Sequence, residues 1–391
     1  MDATRRDLTQ TLHRSIHEIK AAAWNALAGD NPFVSHEFLA ALEDSVSVGG
    51  KSGWYPHHIA LRDQTGVLAA AAPTYAKTHS YGEYVFDHAW ANALEHVGVR
   101  YYPKLQVAVP FSPVPGPRLL VSPGTDPAAL AEAMVLATSR LKCSSIHATF
   151  CTEAEWTVLG EAGWLRRLGV QYHWHNHDYA DFEAFLAALS SRKRKAIRRE
   201  RREAASGLEI RALRGPELSR HDWRAFHEFY LSTVDRKWGG AYLTERFFPL
   251  LGERLGDRVV VMMAFRAGKP IAGALNLLGA GTLYGRNWGA VEQVPFLHFE
   301  LCYYQAIEFA IAHRLAKVEA GAQGQHKIQR GYLPSQTYSA HWIAHPGLAG
   351  AVAEFLDAER PAIAEEMAML DAESPYRADF SLTPRSAAAG R

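Results

Sequence analysis

The chain of 391 residues is long enough for two domains, because one domain usually takes about 100 to 200 residues. Hydrophobic residues make up 48% of it, which allows a sizeable buried core. Its 42 Lys and Arg residues nearly balance its 41 Asp and Glu residues, so the overall charge favours neither a nucleic acid nor a membrane surface as a partner. Any polyanion would have to be held by a local cluster of cations.

The sequence shows no secretion signal and no membrane span. No apolar run follows its charged first residues, and nowhere do about 18 apolar residues follow one another. Its three widely spaced cysteines fit no zinc or redox motif and are typical of a reducing compartment. We therefore expect a cytoplasmic protein that does not insert into a membrane, with Cys143, Cys151 and Cys302 as core thiols.

The first half of the chain predicts two helices, an antiparallel meander, a third helix and a short strand. Ser15 begins a capping box and Ser35 is a second N-cap, so we expect each to open a helix. Asp126 followed by Pro127 is typical of another helix start. The predicted helices cover residues 15–27, 36–46 and 126–142, and the predicted strands cover residues 57–62, 67–77, 81–90 and 146–150.

The second half predicts the same order of elements. Helices are expected after Ser219 and from Thr244, and Gly268 and Gly281 mark the turns of a second meander. The predicted strands cover residues 258–266, 270–278, 282–288, 316–319 and 339–345, with a long helix over residues 296–314. This parallel between the halves indicates an internal duplication.

The order of elements predicts an α+β protein of two tandem GNAT-like domains (the acyl-CoA N-acyltransferase fold), with mixed, mostly antiparallel sheets flanked by helices. Between the halves we predict a strand over residues 164–176, a helix capped by Asp181, and a basic helix ending near Gly207. We place the boundary between residues 176 and 177, which gives domains 1–176 and 177–391. Residues from about Thr383 onward are small and polar, so we expect them to be disordered.

The densest candidate site is the glycine-rich segment, residues 319–334, which follows a predicted strand. Glycines let backbone N–H groups approach a ligand, and nearby cations neutralise a phosphate or an oxyanion. The alternative is an ordinary surface loop with solvated charges. The residues that favour a site are Gly321, Gly324, His326, Lys327, Arg330 and Gly331.

The basic helix is the second candidate site. Residues 191–202 carry eight cations against one carboxylate, and at about 100° per residue these charges cover most of the helix circumference. Such a helix favours a polyanionic partner, a nucleotide diphosphate or a tRNA, while a merely solvated helix face is the alternative. Arg192, Lys195 and Arg198 are the expected phosphate contacts.

The remaining polar groups give weaker indications. Arg286, Trp288, His298 and Glu300 lie on a strand, turn and helix where an acyl acceptor could bind, although the aromatic residues could equally be core. Glu319, at a strand end, is a candidate general base for an amine, with a structural salt bridge as the alternative.

Other chemistries find less support in the sequence. Three histidines alternate at residues 173, 175 and 177, but they lack a carboxylate or cysteine at ligand spacing, so we predict no metal. No Ser-His-Asp motif or P-loop is present, which weakens the hydrolase and kinase interpretations. Transfer without a covalent enzyme intermediate fits better.

Motifs along residues 30–360 resemble the FemAB-like family of predicted N-acyltransferases, which is related to the Fem peptidoglycan-bridge aminoacyltransferases and belongs to the GNAT superfamily. The matching segments are residues 31–33, 79–87, 101–104, 110–111 and 116–119 in the first half, and residues 192–198, 242–244, 271–275, 298–304 and 319–334 in the second.

The resemblance implies a twin-GNAT architecture with the active cleft in or beside the second half. Fem enzymes transfer an aminoacyl group from aminoacyl-tRNA to an amine on a cell-wall precursor. A Phe-Lys motif ends their glycine-rich loop, and its lysine is thought to assist the reacting carbonyl. Lys327 falls at the similar place, preceded by His326 rather than Phe.

The donor expected from the resemblance is an aminoacyl-tRNA. The turn with which ordinary GNAT enzymes bind the CoA pyrophosphate is not found before the helix at residue 296, where Val294-Pro-Phe stands instead, and this disfavours acetyl-CoA. We therefore expect no cofactor, and an amine-bearing small molecule or cell-wall precursor as acceptor. The alternatives are an acyl-CoA-dependent N-acyltransferase acting on a small metabolite or lipid, and a non-catalytic nucleotide- or RNA-binding module. The sequence does not indicate an oligomeric state.

Overall fold

The computed structural model describes residues 8–234, 240–321 and 324–380, and in it the chain forms two compact units. The first unit contains the described residues of Met1–Val170, Tyr242–Arg254 and Gln336–Glu365. The second unit contains those of Gln171–Ala241, Leu255–Ser335 and Glu366–Arg391. Each unit therefore combines segments that are distant in sequence, and the boundary predicted between residues 176 and 177 stays a prediction. The expected disorder from Thr383 onward lies outside the described residues.

The first part of the chain builds most of the first unit. Its strands are β1 (Thr9–His13), β2 (Trp54–Pro56), β3 (His58–Arg62), β4 (Leu68–Ala72), β5 (Thr74–Lys77), β6 (Lys104–Val107), β7 (Leu120–Val121) and β8 (Ser145–Cys151). Its helices are α1 (Ala21–Ala28), α2 (His36–Asp44), α3 (His88–His96), α4 (Pro127–Arg140) and α5 (Glu153–Glu161).

The rest of the chain begins in strand β9 (Leu165–His175), along which it passes from the first unit to the second. Its further strands are β10 (Glu209–Arg214), β11 (Val259–Arg266), β12 (Lys269–Gly279), β13 (Thr282–Ala290), β14 (Lys317–Glu319) and β15 (Leu333–Ile343). Its helices are α6 (Phe182–Ala188), α7 (Ser191–Ala204), α8 (Arg220–Val234), α9 (Phe247–Leu255), α10 (Leu297–Phe299), α11 (Gln305–Ala312) and α12 (Pro346–Ala372), with a π-helical turn, Glu300–Tyr304, between α10 and α11.

The first unit holds a four-stranded antiparallel sheet in the order β1-β3-β4-β7. It also holds a second run in the order β8-β6-β5-β2, in which β6 and β8 are parallel and the end of β15 pairs with β8. In the second unit β10 to β13 form an antiparallel meander, β14 lies parallel to β13, and β9 lies antiparallel to β14. The parallel pairing ends at Glu319, while β13 continues to Ala290. The glycine-rich segment therefore starts where β13 and β14 cease to pair.

Most predicted elements are present where a local cap or a turn glycine marks them. The Ser35 hydroxyl accepts from the Phe38 N–H at the start of α2, and the Asp181 carboxylate accepts from the Ala184 N–H at the start of α6. Gly268 and Gly281 have φ angles of 78° and 69°, as their tight turns require.

Three expectations were wrong. Residues 67–77 form two strands rather than one, because Pro73, which has no N–H to donate, separates β4 from β5. Residues 81–90 form a loop and the start of α3 rather than a strand. The helix expected from Ser15 to residue 27 begins only at Ala21, after a short 3₁₀ turn.

Candidate active site

The glycine-rich segment leaves β14 and turns through a 3₁₀ helix, Gln325–Arg330. Gly324 and Gly331 have φ angles of 111° and 91°, which L side chains rarely adopt, so glycine is required at both ends of this turn. The backbone N–H groups of Gly321 and Gly324 remain candidates for stabilising an oxyanion. Residues 322 and 323, which lie between these two glycines in the sequence, are outside the described residues.

Lys327 is buried at the centre of this segment, with 3% of its surface exposed. Its Nζ donates to the carbonyl oxygen of Gly321 at 2.9 Å and lies 5.8 Å from the centre of the Tyr172 ring on β9. The ammonium group is thus fixed beside the backbone that follows β14. A fixed cation is the kind of group that stabilises negative charge developing on a carbonyl oxygen.

Three predicted residues meet in an aromatic cluster formed by Trp288, His298, Phe299, Tyr303 and His326. The ring of His298 lies 5.2 Å from that of Trp288 and 6.1 Å from that of His326. Tyr303 joins the cluster through its hydroxyl, which lies 2.9 Å from His326 Nε2. Phe299 and Tyr303 were not predicted as site residues, although a spacing of four residues on a helix places two side chains on one face.

His326 is the exposed titratable member of the aromatic cluster. Partial burial lowers the pKa of its imidazole, and the positive charges of Arg330 and Lys327 lower it further. The imidazole is therefore neutral near pH 7, and a neutral imidazole is able to accept a proton from an attacking amine.

The basic helix α7 is joined to the glycine-rich segment by an ion pair. Arg330 Nη2 lies 3.0 Å from both carboxylate oxygens of Glu200, and Arg330 Nη1 donates to the carbonyl oxygen of His326 at 2.8 Å. The guanidinium of Arg330 also stacks on Phe299 at 3.4 Å, and the Tyr304 hydroxyl donates to Glu200. Arg330, predicted as a substrate contact, thus connects the backbone of the turn at His326 to Glu200 of α7.

The cations of α7 differ in their exposure to solvent. Arg201 turns inward to Glu300, while Lys193 and Arg194 are half-buried. An exposed stripe remains on the other face, with members three and four residues apart that lie along one side of the helix. We call it the cationic stripe; it consists of Arg192, Lys195, Arg199 and Arg202. Arg198 lies beside it and pairs with Glu183.

Two predicted site residues are not members of the aromatic cluster. Glu300 is buried with 2% exposure, accepts from Arg201 and from Gln305, and lies on another face of its helix. Arg286 is half-exposed on β13, at an irregularity where Ala274 pairs with Trp288 but Asn276 pairs with Gly285. Neither position supports the expected acceptor site as a single group of four residues.

Glu319 is buried, with 3% exposure, at the end of β14. Its Oε1 lies 2.6 Å from Lys317 Nζ. This ion pair corresponds to the structural alternative, and the role of Glu319 as general base stays a prediction.

The described residues give two further findings. They contain no group of three or more His, Cys, Asp or Glu side chains that could hold a metal ion. Among their helices, none is both long and apolar enough to cross a membrane.

A family model for FemAB-like proteins, described as acting in peptidoglycan biosynthesis or recognition, matches residues 15–378. No curated protein sequence matches significantly. Among solved structures, the C-terminal domain of a putative lysylphosphatidylglycerol synthetase from Agrobacterium fabrum aligns over 87% of this chain and 96% of its own, with 9% identity and a TM-score of 0.55.

FemX aligns over 88% of this chain and all 100% of its own, with 10% identity and a TM-score of 0.51. A conserved protein of unknown function from Bacteroides thetaiotaomicron aligns over 85% and 99%, with 11% identity and a TM-score of 0.51. The family resemblance and the fold of two tandem GNAT-like domains, both predicted from the sequence, are confirmed.

Proposed function

The chain belongs to the FemAB-like family of acyltransferases, and we propose that it transfers an aminoacyl group from an aminoacyl-tRNA to an amine acceptor. The family supports aminoacyl transfer in general. The tRNA donor and the acceptor, a small molecule or cell-wall precursor with a primary amine, are our proposal.

One observation carries the choice of donor. The cationic stripe lies on the same helix as Glu200, and Glu200 binds Arg330 of the glycine-rich segment. A polyanion on the stripe would therefore lie on an element that is tied to the segment with Lys327. This connection supports an enzyme over a binding module, because a module has no need to join its polyanion surface to a buried lysine.

The reaction needs a neutral amine and a stabilised oxyanion. The amine nitrogen attacks the ester carbonyl carbon, a C–N bond forms, and the negative charge moves to the carbonyl oxygen, where Lys327 donates. When the intermediate collapses, the C–O bond to the ribose breaks, and the ribose oxygen leaves with a proton. In this proposal His326 takes the proton that the amine loses and gives it to the leaving oxygen.

Salt-dependent binding tests the donor. We expect aminoacyl-tRNA to bind with an affinity that falls steeply with salt, because each neutralised phosphate contributes about 0.7 to 0.9 to the logarithmic slope. Arg192→Gln combined with Lys195→Gln should lower that slope. Arg211→Gln, which removes an exposed arginine paired with Glu209, is the matched control and should leave it unchanged.

A parallel titration with acetyl-CoA distinguishes the acyl-CoA alternative. Saturable binding of acetyl-CoA, together with tRNA binding that the double variant does not weaken, would move the protein to the CoA-dependent class. The cationic stripe would then be a structural feature only.

A further inference from the structure

A cleft of about 430 Å³ lies in the second unit, beside α6, α7 and the π-helical turn. Its described lining includes no member of the aromatic cluster and excludes Lys327. The cleft is therefore separate from the groups to which the transfer chemistry is assigned, although Arg202 of the cationic stripe lines it.

One part of the lining, here called the charged wall, holds three arginines together with the carboxylates of Glu183 and Glu300. Arg198, Arg201 and Arg202 line it, but they differ in how their charges are compensated. Arg201 is held by the buried Glu300 at 3.0 Å and stacks on Phe182 at 4.3 Å, while Arg198 pairs with Glu183. Arg202 has no ion pair within the described part of the chain. The cleft thus contains one guanidinium without a carboxylate partner among the described residues, that of Arg202, beside the two of Arg198 and Arg201 that carboxylates hold in place.

A second part of the lining, here called the apolar wall, consists of apolar residues. Phe182 and Leu186 are buried, whereas Leu208 and Ile210 are only half-buried and leave apolar surface open to the recess. The volume lies within the range of about 300 to 1,000 Å³ that small-molecule sites usually have. A free phosphate would use the arginines alone and leave the apolar wall hydrated, so the lining fits an anion that carries an apolar group.

We propose that this cleft binds a phosphate monoester attached to an aliphatic chain. The phosphate lies against Arg202 and Arg198, because guanidinium groups bind phosphate oxygens through paired N–H donors. The chain lies along Leu208, Ile210 and Leu186. Arg202 also belongs to the cationic stripe, so this ligand and the proposed tRNA donor share one arginine, whereas Leu208 and Ile210 belong to the cleft alone.

A homologous series of n-alkyl phosphates tests both walls. Calorimetry with ethyl to octyl phosphate should show affinity rising about fourfold for each methylene that enters the cleft. Inorganic phosphate and octanol should each bind much more weakly than octyl phosphate. An affinity that does not change with chain length would overturn the proposal.

Two variants locate the binding. Arg202→Gln should weaken octyl phosphate about tenfold or more, and Leu208→Asn should flatten the dependence on chain length. Arg199→Gln is the matched control, since Arg199 is an exposed cation of the same helix outside the cleft, paired with Glu203. If folded Arg202→Gln protein bound octyl phosphate as tightly as wild type, the cleft would not be the phosphate site. This outcome would overturn the proposal even if Leu208→Asn weakened binding.

The two possible sources of such a ligand are separated by vesicles. Co-sedimentation with phosphatidylcholine vesicles that contain phosphatidic acid, lost in Arg202→Gln and Leu208→Asn, identifies a lipid headgroup. Binding of octyl phosphate without binding of these vesicles identifies a free metabolite. Because Leu208 is not part of the cationic stripe, Leu208→Asn should leave tRNA binding intact, so the cleft and the proposed donor can fail separately.

Discussion

Lys104 in the first unit and Lys327 in the second are both buried, but different groups surround them. In the first unit Lys104 is 0% exposed, and its Nζ donates to Ser80 at 2.9 Å, to Glu83 at 2.7 Å and to Asp87. In the second unit Lys327 donates to a backbone carbonyl in a segment that also carries the exposed His326.

The comparison shows that burial of a lysine is not by itself a sign of catalysis. Lys104 pairs with the carboxylates of Glu83 and Asp87, and these pairs hold the loop over residues 80–87. Lys327 lies in a turn shaped by glycines, next to groups that solvent reaches. We infer that solvent access to the surrounding segment, rather than burial of the side chain, distinguishes the lysine that we propose for catalysis.

The largest effect is expected for Lys104→Met. Removing Lys104 from this buried charge cluster leaves Asp87 without its cation and Glu83 with only Lys77, whose Nζ lies 3.8 Å from Glu83 Oε1. This should lower the free energy of unfolding by about 3 to 5 kcal/mol. Urea unfolding measures this, with the exposed Lys51→Met as control. A Lys104→Met protein as stable as the control would show that the cluster is not structural.

Lys327→Ala should affect the reaction. Loss of one oxyanion donor usually costs about 3 to 4 kcal/mol of barrier, so we expect transfer to slow about a hundredfold to a thousandfold. Aminoacyl-tRNA binding should persist, because the cationic stripe is unchanged. Unchanged turnover would remove Lys327 from the mechanism.

Glu200→Gln should have an intermediate effect, because it weakens the contact between α7 and the glycine-rich segment. A buried charged hydrogen bond that loses its partner costs about 1 to 3 kcal/mol, so the turn at residues 325–330 should open more often. Hydrogen exchange over these residues measures the opening. Glu203→Gln, which breaks only the surface pair with Arg199, should leave exchange unaltered.

A further effect concerns the acid stability of the first unit, and it appears only as a dependence on pH. Burial, with Lys104 and Arg167, lowers the pKa of His147 to about 3, so the unfolded chain binds an extra proton between pH 6.5 and pH 3. Stability is therefore lost as the pH falls through this window, by about 1.4 kcal/mol per pH unit for one proton. His147→Gln should remove that part of the slope.

Glu83 contributes with the opposite sign over an overlapping range, because burial raises its pKa to about 7. Glu83 is present in both wild type and His147→Gln. The difference between their pH dependences of the free energy of unfolding therefore gives the contribution of His147. The exposed His88→Gln should retain the wild-type slope. An identical slope in all three proteins would show that His147 is not held neutral by the fold.

Local signals were the part of the fold that the sequence predicted well. The Ser35 and Asp181 caps act over three residues, so the pattern alone locates the starts of α2 and α6. Residues 81–90 were wrongly predicted as a strand, because their aromatic residues lie at the start of α3 and in the loop that precedes it. The carboxylates of this loop turn inward to Lys104, which is 17 residues beyond Asp87.

The candidate site was also predictable only in part, because contacts between residues distant in sequence shape it. The density of glycines and cations marks residues 319–334, and Lys327 and His326 both lie there. The partners of the charges did not follow from the sequence, since Arg201 and Glu300 are 99 residues apart and Glu200 and Arg330 are 130 apart. Which cations face inward is decided by these distant contacts.

The central claim is that the second unit transfers an aminoacyl group through Lys327. It is tested most directly with tRNA charged with radiolabelled amino acids, incubated with a mixture of amines and either wild-type or Lys327→Ala protein. The ester of aminoacyl-tRNA is base-labile and an amide is not, so base-stable label reports transfer without knowledge of the acceptor. The account predicts base-stable label with wild type and about a hundredfold less initial rate with Lys327→Ala. Equal rates with the two proteins, or base-stable label that forms only from radiolabelled acetyl-CoA, would contradict it.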